Sequence, residues 1–454
     1  MHFRPWQGGL LEEWGLALAW RQEGFGGYFA RLPLLMGRPV HLLPYYVGDV
    51  LSNGGFVGPY AVLAAVAVGQ FLLTLWALRP LTSMWVPRWV LGMALALHPV
   101  WAAGDLLRYL PAQTAVLGVV VWLGAVTRYL RGGSRKWLLL AGAALAVGLL
   151  AYQAPAAAVL AGAVALAVAT AEVRRGAVAI AVTGASVVGV FLWSMVVAPL
   201  LSSSSYESDM ASGAGLGPVR LVRAVIRTLV LYAPGVLLTM GVAAVFVIAL
   251  GLNRQLTRTQ VGLLLAVVAA APLAALVYAA NAADLNDPER VALPASLVPW
   301  LVLAAIVHRL SEPRVLAVGL LVAALACGSV SSVVAYSRWS GLAAAQQELI
   351  RAAGAARDAV PAGATLVAAD TSGRYGDVYL LLPPHLDIAL DVEYGIGPKA
   401  VLCTASGVAR DHPVAARFPL DTTPDCGTYL GRPDVVGVGS VQTGLGRVEF
   451  YAVP

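Results

Sequence analysis

Ten apolar, nearly uncharged stretches constrain this chain more than any other feature, at about 57–78, 89–103, 112–129, 136–151, 155–172, 177–199, 228–250, 260–279, 294–309 and 314–338. A helix rises about 1.5 Å per residue, so about 20 residues cross the hydrocarbon layer of a bilayer. Inside that layer every backbone N–H and C=O needs a partner within its own segment, which selects helices for runs of this length. Charged residues make up only 12% of the 454, and hydrophobic ones 59%. A water-soluble domain draws about 25% of its residues from the charged types to cover its surface. The expected fold is an all-α polytopic membrane protein with about ten transmembrane helices, in the cell membrane.

Arginine sets the expected orientation, because the only lysines are Lys136 and Lys399. Basic residues fall between every second pair of runs: Arg79 and Arg88; Arg128, Arg131, Arg135 and Lys136; Arg174 and Arg175; Arg254 and Arg258; Arg309 and Arg314. Short cytoplasmic loops retain such residues, so these loops are assigned to the cytoplasm. The alternate loops hold Asp105, Glu207, Asp209, Asp284, Asp287 and Glu289. Ten crossings in this phase put both residues 1–56 and the chain beyond Arg338 outside. Met1–Gln7 has no basic region followed by an apolar core and is no signal peptide. The expectation is therefore a first transmembrane helix upstream of this sequence. Three regions follow: an external loop with an interfacial helix (1–56), a transmembrane domain (57–338) and an external soluble domain (339–454). In the last, a helix over 341–359 precedes short β-prone runs at 364–369, 378–382, 400–403 and 446–452, the pattern of a small α/β or β-rich unit.

Four groups carry the candidate chemistry. Glu12, Glu13 and Trp14 open a helix over 10–21 whose apolar face is Leu10, Leu11, Trp14, Ala17 and Leu18. Either the glutamates simply face water at the membrane interface, or one of them works. Asp105 sits in a second external loop among aromatics, beside Arg108, which either pairs with it or touches substrate. Arg290 follows Asp284, Asp287 and Glu289 at a predicted helix start, where its fork suits a phosphate, or a neighbouring acid. Arg220, Arg223 and Arg227 share one helical face on the outer side, against the usual charge bias, which points to an anion: a lipid phosphate, or ordinary anionic headgroups. His98, inside an apolar run, reads as a bundle residue. Gly-x-Ser-x-Gly, Walker-type phosphate loops and His-Glu-x-x-His are absent, which excludes serine hydrolases, nucleotide-driven pumps and zinc proteases of the familiar kinds. With no basic cluster, nucleic acid is excluded as a partner. Cys403 and Cys426 form neither a zinc spacing nor a Cys-x-x-Cys, and in an oxidising compartment they are expected to pair.

Together these residues resemble the polyprenol-phosphate-sugar-dependent glycosyltransferases of the GT-C fold class, whose first external loop carries an acidic pair often followed by Trp. Here that is Glu12, Glu13 and Trp14, followed by Gly37-Arg38-Pro39. The resemblance implies that a carboxylate of this loop is the catalytic base, assisted by Asp105. The donor would be a polyprenol-phosphate-linked sugar, the acceptor extracytoplasmic, and the arginines, with Trp14, Arg38 and His41, would bind substrate. No cofactor is certain, and a divalent metal stays open. The pair is Glu-Glu where Asp is commoner. Two other classes compete. A transporter or lipid-linked glycan flippase would place acids at mid-membrane depth. An O-antigen-type ligase or polymerase would lean on Arg38 and His41.

Overall fold

The structure is a computed structural model describing residues 12–96, 107–170, 172–201, 218–232, 234–274, 288–309, 315–377, 383–407 and 424–454. Each apolar run carries helix among these residues: α4 (Val57–Leu78), α5 (Trp85–Ala96), α6 (Leu110–Gly132), α7 (Arg135–Ala151), α8 (Ala156–Thr170), α9 (Val173–Leu192), α11 (Pro234–Leu252), α12 (Arg258–Ala269), α13 (Pro288–Ile306) and α14 (Val315–Arg357). The run at 228–250 is shared with α10 (Pro218–Tyr232), because Pro234 has no N–H to continue a helix and opens the next one instead. Among the described residues four helices are long and apolar enough to cross a membrane: Val57–Leu78, Leu110–Gly132, Val173–Leu201 and Gly235–Leu252.

Helix α6 lies at the centre and is buried all round. Its crossing with α7 is close because Gly118 and Gly148 face each other; a Cβ on Gly118 would stand 2.6 Å from the Ala144 carbonyl oxygen. Small residues allow such approach where apolar side chains gain nothing over lipid, and interhelical hydrogen bonds add to it. Gln70 Nε2 on α4 donates to Gln113 Oε1 at 2.8 Å, and Trp122 Nε1 donates to Thr183 Oγ1 on α9 at 3.0 Å.

The basic loops meet at one end of this bundle. Arg128 donates to the Trp76 carbonyl and lies 3.8 Å over the Trp76 ring. Arg175 donates to the Leu130 carbonyl, Arg309 to the Ala169 carbonyl, and Gln260 to the Val168 carbonyl. The helix ends Ala151 and Leu110 lie at the other end, with the described residues N-terminal to α4. The described basic turns thus lie together, away from the described residues N-terminal to α4. Single-cysteine variants next to Arg135 and Arg175 are expected to resist a membrane-impermeant thiol reagent in intact cells, while one in the loop after Gly395 reacts. Labelling beside Arg135 would contradict that assignment.

Helix α14 runs unbroken for 43 residues, about 65 Å at the usual rise. The separate helices expected at 314–338 and 341–359 are one, so no linker intervenes before the C-terminal domain. There α14 meets a four-stranded sheet of order β2-β1-β4-β3, built from β1 (Thr365–Asp370), β2 (Ala400–Thr404), β3 (Val436–Thr443) and β4 (Gly446–Val453). β1 and β2 are parallel, joined by a crossover containing α15 (Pro383–Tyr394), and β3–β4 is an antiparallel hairpin. Three of the β-prone runs are strands; 378–382 lies outside the described residues. β3 and α15 escaped the sequence reading, since Gly437 and Gly439 interrupt the alternation of β3 at a bulge.

Cys403 and Cys426 form a disulfide with their Cα atoms 5.0 Å apart, across 23 residues of chain. It ties β2 to the short helix Gly427–Leu430 beneath the sheet. A closed loop of that length restricts the unfolded chain by about 3 kcal/mol. Cys403→Ser is expected to lower the reversible unfolding midpoint of the C-terminal domain accordingly, and dithiothreitol should do the same to the parent and nothing further to the variant.

Candidate active site

The N-terminal segment folds as α1 (Glu12–Glu23), α2 (Gly26–Arg31) and α3 (Leu43–Ser52). It shares one hydrophobic core with the C-terminal domain: Trp14, Tyr46 and Phe56 belong to the same cluster as Leu349, Leu386, Leu402 and Phe450. α1 packs against α15, and Arg21 donates a hydrogen bond to the Val392 carbonyl. The interfacial helix expected at 10–21 is therefore covered by protein.

That cover takes Glu13 out of water. Glu13 is 2% exposed and Trp14 0%, with the Trp14 ring 5.0 Å from Phe56 in an edge-to-face contact. Glu13, Trp14, Ala17 and Ala19 are buried, with Leu16, Leu18 and Trp20 half-buried, so α1 is covered on more than the apolar face that the periodicity marks. Leu10 and Leu11 lie outside the described residues, as does the Glu12 side chain.

The other motif residues are held nearby by specific bonds. The Gly37-Arg38-Pro39 turn is clamped to the end of α9, where a π-turn at Trp193–Val197 re-aims the chain. Trp193 Nε1 donates to the Met36 carbonyl at 2.8 Å and Ser194 Oγ to the Gly37 carbonyl at 2.7 Å. Tyr28 donates to the Pro39 carbonyl, and His41 Nδ1 lies 3.0 Å from the Ala151 carbonyl at the end of α7. Arg38 is buried. α1 also touches the turn Leu107–Tyr109, and Tyr45 donates to the Leu107 carbonyl at 2.6 Å. The segment before α4 and the turn before α6 thus meet. Asp105 lies outside the described residues, two positions before that turn, and so does the Arg108 side chain.

The arginines occupy a second pair of elements. α10 packs on α13, which brings the helix of Arg220, Arg223 and Arg227 against that of Arg290. Arg223 is exposed, on the face opposite buried Val225 and Leu229; the side chains of Arg220, Arg227 and Arg290 lie outside the described residues. Arg290 falls in the first turn of α13, as its helix-start assignment requires.

One functional candidate escaped the sequence reading. Asp49, on α3, is 3% exposed, and burial pushes its carboxyl up to about 7. Its Oδ2 has no hydrogen-bond partner among the described residues. The signal was a lone acid inside the apolar stretch Leu42–Leu51, overshadowed by the adjacent pair at 12 and 13. Beside it Tyr46 is fully buried, and desolvation raises its hydroxyl, with the nearby Arg31 guanidinium pulling it down. Arg31 pairs with Glu23 at 3.1 Å. Among the described residues no three His, Cys, Asp or Glu side chains cluster to hold a metal.

No family model, curated protein or solved structure matches the chain.

Proposed function

We propose that this chain is a membrane glycosyltransferase of the GT-C type, crossing the bilayer ten times. It would move a sugar from a polyprenol-phosphate donor to an extracytoplasmic acceptor. The observation that carries the reading is Glu13, a carboxylate buried in a folded module at the end of the bundle opposite the described arginine turns. A disulfide in that same module suits an oxidising, extracytoplasmic compartment.

In this reaction Glu13 takes the proton of an acceptor hydroxyl as its oxygen attacks the anomeric carbon. The bond from that carbon to the phosphate oxygen breaks, and the electron pair leaves on polyprenol phosphate. Arg290, Arg223 and their neighbours on α10 and α13 would neutralise the departing phosphate, with Arg108 and Asp105 completing the second loop's contribution. Arg38 and His41 hold the loop that bounds the site. The four long apolar spans contain no Asp or Glu, which favours transfer at the membrane surface over ion-coupled transport through its midplane.

The test is sided. Sealed vesicles carrying the chain receive a polyprenol-phosphate-linked labelled hexose, and an impermeant hydroxyl acceptor is placed on one face at a time. The label should reach the acceptor only from the face that bears the C-terminal domain; equal transfer from both faces would refute the reading.

A further inference from the structure

Helix α3 is inside out for a helix in water. Of its ten residues only Leu43, Val47, Val50 and Leu51 are exposed, at 39%, 44%, 55% and 67%. Their spacing of i, i+4, i+7 and i+8 puts them on one face. Its polar side chains Tyr45, Tyr46 and Asp49 are buried instead, toward the protein. The same N-terminal segment also holds a helix end that faces water: α1 finishes on Arg21, Gln22 and Glu23, all exposed. A helix that turns its acid inward and shows only aliphatic side chains outward has an apolar neighbour on its outer side.

The adjoining helix says what that neighbour is. α3 turns back onto α4 through Asn53 and Gly54, whose φ angles are 50° and 79°, so the two helices form a tight hairpin. Gly48 and Gly58 meet within it, and a Cβ on Gly58 would stand 1.8 Å from the Gly48 carbonyl oxygen. α4 is one of the four helices able to cross a membrane. Its exposed residues before Arg79 are all Val, Ala or Leu, with Val57, Val68 and Leu72 at 58%, 58% and 56%. The face of α3 thus extends a surface that lipid meets wherever α4 spans. Ten residues of helix are about 15 Å long, half of a hydrocarbon layer about 30 Å thick, so α3 does not span.

We infer that the outward face of α3 is a lipid-binding surface, seated at the headgroup–acyl boundary of the leaflet in which α4 begins. It fixes the N-terminal segment, and Glu13 with it, to the membrane. The sequence reading placed the interfacial helix at 10–21; with α1 covered by protein, α3 takes that position. Its four side chains offer a ligand no hydrogen bond, which suits acyl chains. The inference requires the membrane and not the transferase.

The test uses the full chain in phosphatidylcholine proteoliposomes, with Cys327→Ala so that a nitroxide can be attached at one introduced cysteine at a time: Val50→Cys, Leu51→Cys, Gln22→Cys or Val68→Cys. Collisions with molecular oxygen, which concentrates among acyl chains, are compared with collisions with a polar nickel chelate present in the water on both faces. Labels at 50 and 51 are expected to favour oxygen, as the α4 label at 68 does, at a depth of about 5–10 Å into the boundary. The label at 22 should favour the chelate. Chelate-dominated collisions at 50 and 51 would put the face in water and overturn the inference. Few collisions with either reagent would mean that a second copy or another protein covers the face, and would overturn it as well. Neither readout involves sugar transfer, so failure of the transferase reading is told apart from failure of this one.

Discussion

Glu13→Gln is expected to lower sugar transfer from a polyprenol-phosphate donor by 10²–10⁴-fold, the usual cost of losing a general base. The substitution keeps the size of a side chain that is 2% exposed beside Trp14, so the packing of α1 against α15 should survive. Protein level and thermal midpoint serve as the control. Neighbouring helical residues point about 100° apart, which leaves Glu12 on a different face, and Glu12→Gln should cost far less. The kinetic split is also expected: kcat should fall while KM changes little, because the proton is taken only on the way to the transition state. Unmodified rates in both single variants would move the base to Asp105.

Asp49→Asn is expected to act on stability with a definite sign. Burial raises this carboxyl from 3.8 to about 7, so the folded chain holds the proton more tightly than the unfolded one. Folding is then penalised as pH rises: not at all below about 3.8, increasingly between 3.8 and about 7, and fully above that. Three pH units correspond to about 4 kcal/mol, an order-of-magnitude figure. Asparagine has no charge to bury. Relative to the parent, the variant's unfolding midpoint in detergent should be higher at pH 8 than at pH 5. A difference that does not vary with pH would mean Asp49 is not held protonated.

The legible part of this protein is the part governed by the bilayer. Run length predicted where helices occur, and Arg128, Arg175 and Arg309 each donate to a carbonyl near the end of another helix, α4, α6 and α8 in turn. The disulfide was legible because only two cysteines lie in polar sequence. What lay beyond reach was long-range packing. Nothing local in Glu13 says that α15, more than 350 residues away, packs on its helix. The periodicity of 10–21 located a helix but misjudged its buried face, since protein rather than lipid meets it. Asp49 was missed for a similar reason: its burial depends on α1 and α4 closing over α3, with Gly48 and Gly58 meeting where no Cβ would fit. The strand β3 was hidden by glycines whose bulge only its partner β4 explains.

The central claim is that this chain cleaves the bond between a sugar and a lipid phosphate. The most direct measurement places the purified chain in proteoliposomes with a polyprenol-phosphate-linked labelled hexose and a soluble hydroxyl acceptor, and follows both free polyprenol phosphate and the fate of the label. The account predicts one polyprenol phosphate released per hexose transferred, none from a nucleotide-sugar donor, and near-complete loss of both in Glu13→Gln. Movement of the intact lipid-linked hexose across the bilayer, with its sugar–phosphate bond unbroken, would contradict it.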